Sequence, residues 1–283
     1  MGLFDMLGIG GTPEERETRT LGKLRKVLME KFGPPENRQG AIEELGQMKT
    51  TNAVEVLLNR FTFRVDPGIT DDEEKHRVLD LIIDAEDKAL PALKRFIASR
   101  DEISWPLQAL ADLVPEFEVV QVLVETLRKQ ANEYARVPEK KVLLLHALAH
   151  HRSPDAVSAA LPFLEDMDDD VVIAASQAIT AQAQPAHAKK NLDGTLAEPL
   201  QAPPADAEVL AAQAAVAAAG REPLIHAIVR AHEQKNARIL GAVAGHFVDT
   251  GWDVKGFGPK VEAALPTGYK LDGKARIQRT QEA

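Results

Sequence analysis

The sequence predicts an all-α protein built as a stack of short helical hairpins. Three observations carry that expectation. Apolar residues recur at the three- and four-residue spacing of amphipathic helices. A two-helix unit returns at near-regular intervals. Only 5% of the 283 residues are aromatic while 45% are hydrophobic, so the core is aliphatic and alanine-rich, which suits closely packed helices.

Residues 1–35 read as an N-terminal helical cap. A helix is predicted over 13–32, "PEERETRTLGKLRKVLMEKF", with Leu21, Leu24, Val27 and Leu28 as its apolar stripe. Terminal units of a stack need a different outer surface. Arg16, Arg19, Lys23, Arg25, Lys26 and Lys31 make this helix basic, offset by Glu14, Glu15 and Glu17. It reads as a solvated cap, with binding of a phosphate or an acid as its second reading.

Residues 36–183 carry the repeats. In "RQGAIEELGQMKTTNAVEVLLNRF" two apolar patterns flank a polar turn, Ala41, Ile42 and Leu45 on one side, Val54, Leu57, Leu58 and Phe61 on the other. Asn52 is the expected cap of the second helix. The second-helix openings "NAVEVLL", "KALPALK", "EVVQVLV" and "DAVSAAL" begin at Asn52, Lys88, Glu118 and Asp155, with gaps of 36, 30 and 37 residues. Such intervals are those of helical-hairpin repeats.

Next comes "DDDVVIAASQAITA", three acids leading into a helix with almost no polar surface. A helix apolar on most sides must be buried on most sides. Residues 184–206 break the rhythm with Pro, Ala and an Asp-Gly pair and read as an insertion or loop. Residues 207–250 hold the final helical repeats, beginning with "AEVLAAQAAVAAAG", for which Gly220 is the expected C-terminal stop. Residues 251–283 form a C-terminal cap with a short helix after Pro259 and a small hairpin turning at Asp272–Gly273. Trp252, Phe257 and Tyr269 are expected to seal the last hydrophobic face.

The stretch "DDDVVIAASQAI" resembles the first-helix signature of bacterial HEAT-like repeats of the phycobilisome-lyase type. "NAVEVLLNRF" and "REPLIHAI" resemble the matching second helix. One departure is that Val172 and Ile173 stand where the family often places an arginine, so this helix should sit deeper. The resemblance implies a right-handed α-solenoid of about five to six hairpins with a small irregular C-terminal cap. It says almost nothing about chemistry.

Charge narrows the function classes. Net charge is −9. Residues 101–250 hold 12 basic and 21 acidic side chains, against 16 and 18 in residues 1–100 and 6 and 4 in residues 251–283. An acidic middle repels a phosphate backbone and argues against nucleic acid as the main ligand. No transmembrane segment is expected. The opening "MGLFDMLGIGG" lacks a basic leader before its apolar part, arguing against a secretory signal. The absence of cysteine excludes disulfides and thiolate metal sites and fits the cytoplasm.

Two candidate sites follow. Asp168, Asp169 and Asp170 lie at a helix N-terminus, where unpaired amides and the dipole favour negative charge. With Glu165 and Asp166 they exceed what capping needs, and the surplus is a candidate partner-binding patch for a basic surface, with a cation as the other reading. The second candidate is His146, His150 and Asp155 in "LLLHALAHHRSPD": two histidines four apart can hold a zinc and a carboxylate can complete the shell.

No glutamate adjoins His146, so this is not the protease form of that motif. Di-iron hydroxylases of HEAT-like architecture carry several His-Glu pairs, and this chain has one, His232–Glu233. The glycine-rich "GIGGT" lacks the lysine of a phosphate-binding loop. The expectation is a non-catalytic protein-interaction scaffold needing no cofactor. A metal-dependent protein at His146, His150 and Asp155 is the alternative.

Overall fold

The structure, a computed structural model, describes residues 12–131, 138–151, 153–183 and 207–280. The expected insertion at 184–206 and the opening eleven residues lie outside the described residues. Among the described residues there are thirteen α-helices and one two-stranded ribbon. They divide into two compact units, 1–119 and 120–283.

In the first unit, α1 (Pro13–Leu28), α2 (Pro35–Met48) and α3 (Thr51–Leu58) pack on one another. Then α2 packs on α4 (Gly68–Ile83), α3 on α5 (Leu90–Ser99), and both α4 and α5 on α6 (Ser104–Leu113). Alternate helices therefore touch, as the two-helix period predicts. Thr12 caps α1 in a reciprocal pair with Glu15. Its stripe Leu21, Leu24 and Leu28 is buried as expected, but the helix stops at Leu28.

The cap of α3 is Thr50, whose hydroxyl accepts from the Ala53 amide at 3.2 Å, and not Asn52. Lys49, with φ of 46°, turns the chain just before it, shifting the helix start back. The core of this unit centres on Leu28, Ile42, Leu45, Leu57, Leu58, Ile82 and Leu93, all nearly inaccessible. Ion pairs stitch alternate helices at the surface: Glu43 of α2 to Arg77 of α4, and Glu55 of α3 to Arg95 of α5.

In the second unit, α8 (Glu139–Ala149) packs on α10 (Asp169–Ala181), and α10 on α12 (Ala237–Thr250). Helices α9 (Pro154–Ala160) and α11 (Ala207–Glu233) and a 3-10 turn over Leu161–Glu165 also cover α10. Between Val171 and Thr180 only Gln177 is exposed. The deep position expected of this helix is thus met by surrounding helices. Helix α7 (Glu116–Gln130) contains the residue at which the two units are divided.

Gly220 does not stop a helix. Helix α11 runs through it to Glu233 as one continuous 27-residue element that also contains Pro223. A β-carbon at Gly220 would lie 2.5 Å from Cγ2 of Ile179 and 3.4 Å from the Trp252 ring. The glycine serves close helix approach rather than chain reversal.

At the C-terminal end, α13 (Gly258–Ala264) begins with Pro259 in its first turn, as expected. Strands β1 (Tyr269–Leu271) and β2 (Ile277–Arg279) pair antiparallel, Leu271 opposite Ile277. The connection is longer than the predicted two-residue turn. It spans 272–276 and is organised by Asp272, which accepts the amides of Lys274 and Arg276, each at 2.8 Å. Trp252, Phe257 and Tyr269 are half-buried and meet Phe247, His226 and the Gly241 carbonyl, respectively.

Candidate functional site

The acidic run is shaped first by the backbone. Asp168 is the N-cap of α10, its carboxylate accepting from the amides of Asp170 at 2.9 Å and Val171 at 3.2 Å. Asp166 accepts the Asp168 amide at 3.1 Å and a bond from Lys141 Nζ of α8 at 2.8 Å. Asp169 accepts from Asn236 at 2.8 Å. Asp170 pairs with Arg238 of α12, and Glu165 lies 3.6 Å from Arg230 of α11.

The structure therefore brings all five acids together and supplies three basic partners from three other helices. The apparent surplus shrinks because Lys141, Arg230 and Arg238, remote in sequence, converge on it. Glu165 is the acid least committed to the fold: its side chain is 80% exposed, and its partner is at the outer limit of an ion pair.

Two grooves of about 580 and 470 Å3 flank this cluster and share Leu164, Glu165 and Arg230. The first runs toward Pro223 and His226 of α11, the second toward Asp169 and Ile239. Met167, 88% exposed, lines the second. Charged side chains stand around apolar residues in both grooves.

The histidine cluster does not assemble. His146 and His150 are exposed in the last turn of α8 and at its C-cap, where a helix end favours a basic ring. Asp155, on α9, is also exposed and lies 3.6 Å from Arg128 rather than completing a shell. Among the described residues, no group of three His, Asp or Glu side chains is arranged to hold a metal ion.

A buried charge network in the first unit was not anticipated. Glu74 of α4 accepts from Arg38 Nε and Nη2 and from Arg60 Nε, at 2.7 to 3.2 Å. Arg60 Nη2 also donates to Asp71 at 2.7 Å, and Lys75 Nζ to the other Asp71 oxygen at 2.6 Å. Burial pushes the Asp71 carboxyl up, but bonds from Lys75, Arg60 and the Val65 amide outweigh it and hold it below its ordinary value. Arg38 Nη1 donates to the carbonyls of Glu30, Lys31 and Gly33, closing the turn after α1.

Every polar arm of the two guanidiniums points at a partner, which marks a structural clamp. One sequence signal was available: Glu74 falls four before Val78 and seven before Leu81, on the apolar face itself.

The first unit also contains a groove of about 490 Å3 across α1, α3 and α5. Leu21, Val56 and Phe96 form its floor, and Arg25, Arg95 and Arg100 stand at its rim with Glu55.

No protein-family model matches the chain, and no curated protein matches it in sequence. No described helix is long and apolar enough to cross a membrane.

Proposed function

We propose that this protein is a non-catalytic interaction scaffold, a cytoplasmic right-handed solenoid of HEAT-like hairpins whose helical grooves receive a partner protein. Supporting this reading is the face of the second unit around Glu165. There, two adjoining grooves share a rim of Glu165 and Arg230, and Met167 projects almost fully exposed beside them. An exposed flexible thioether next to a charged rim is an adaptable contact surface. The residual acidity of the cluster orients a basic partner and speeds its encounter rather than supplying most of the affinity.

The test uses full-length protein as bait in the native cell, cross-linked and mapped by mass spectrometry. A Glu165→Lys/Met167→Glu double variant leaves the Asp168 cap intact. Loss of the mapped cross-links with unchanged helicity and melting temperature is the expected result. Cross-links unchanged by the variant would remove this face from the mechanism.

A further inference from the structure

The groove of the first unit has the opposite electrostatic character. Of its three rim arginines, Arg95 is held by Glu55 across α3 and α5. Arg25, in the last turn of α1, and Arg100, at the C-cap of α5, form no side-chain hydrogen bond or ion pair with any described residue. Both are exposed. The same groove has an apolar floor in which Leu21, Val56 and Phe96 are each at most 9% exposed. Asn52 and Ser99 add exposed polar groups along the same groove.

We propose that this groove binds an acidic peptide segment of a partner protein, its carboxylates on Arg25 and Arg100 and an aliphatic side chain on the floor. A guanidinium engages a carboxylate through two parallel donors, so two arginines without a partner among the described residues, lining one groove, favour an acidic segment. The floor adds apolar contact that a bare ion would not use. Single-stranded nucleic acid fits less well. Phe96 is the only aromatic residue lining the groove and is 8% exposed, so successive bases have no rings to stack on.

This inference rests on the scaffold reading and names the partner chemistry of a second face. Its test is fluorescence anisotropy with full-length protein and a labelled octapeptide of alternating glutamate and leucine. A lysine–leucine octapeptide and an eight-nucleotide oligouridylate serve as rival probes. Saturable binding of the glutamate peptide is expected, weakened by added salt and at least about tenfold weaker in R25E/R100E. Both arginines are exposed and have no side-chain partner among the described residues, so that variant should keep its melting temperature.

Binding unchanged in R25E/R100E, equal binding of the lysine peptide, tighter binding of the oligouridylate, or no saturation would each overturn the assignment. If the glutamate peptide fails while the Glu165→Lys/Met167→Glu variant still loses its native cross-links, the groove assignment falls alone and the scaffold reading stands.

Discussion

Arg38 and Glu74, 36 residues apart, meet through bonds of 2.9 to 3.2 Å with side chains only 2% and 1% exposed. The pair joins α2 to α4, and Arg60 completes it from the 3-10 turn after α3. One acid thus ties together two successive hairpins. Such a pair stabilises only while complete, because its desolvation cost is fixed and its compensation is geometric.

Removing Glu74 should therefore be severe. Glu74→Ala leaves Arg38 and Arg60 buried without their shared carboxylate and should cost about 3–5 kcal/mol in urea unfolding. Glu43→Ala, at the half-exposed pair with Arg77, should cost under about 1 kcal/mol. Equal losses at the two sites would contradict the clamp.

Acidification should erode stability in two ranges. Burial lowers the His246 imidazole below its ordinary value of 6.5, with Asp249 opposing only in part, and Ser176 Oγ sits 2.8 Å from its Nδ1. The unfolded chain takes up that proton first as pH falls. This contribution is fully present above about 6.5 and is lost below it. His246→Gln should flatten the decline in melting temperature between pH 7 and 5.

Asp71 acts in the same direction at lower pH. Its carboxyl is held below the ordinary 3.8, so its contribution is present above that value and lost as pH falls further. Asp71→Asn should lower stability at pH 7 and make the remaining acid dependence below about pH 4 shallower, as read by denaturant titration.

Gly220→Ala should destabilise even though alanine is the better helix former. The new methyl meets Cγ2 of Ile179, a branch point with one preferred rotamer in a helix, so the neighbour cannot easily yield. A net loss of about 1–3 kcal/mol is expected. Adding Ile179→Ala should recover part of it, and strict additivity in that double-mutant cycle would refute the clash.

Reversing Asp168, Asp169 and Asp170 to lysine should lower the melting temperature, because all three serve the fold through the cap, Asn236 and Arg238. The cap alone is worth about 1 kcal/mol. An unchanged melting temperature would show these contacts to be idle.

Zinc added to the purified protein should not raise its melting temperature through His146 and His150. A shift abolished by His146→Ala/His150→Ala would restore the metal reading.

The helices were legible because each carries its own evidence. The stripe of α1, the apolar faces of α2 and α3, and Asp168 as a cap depend on neighbours a few residues away. The fate of the acids was not legible, because their partners lie 25 to 68 residues away and neutralise them only after packing. Gly220 was misread for the same reason: a stop and a close contact both call for glycine, and the contact is with Ile179 on another helix.

By itself, then, the sequence determined that short amphipathic helices alternate and which face of each is apolar, since periodicity and capping act within a turn or two. The tertiary structure decided which charges remain free. Among the described residues Arg25 and Arg100 have no side-chain partner while Arg38 and Arg60 are bonded to Glu74, because burial and pairing depend on distances between helices that no local pattern encodes.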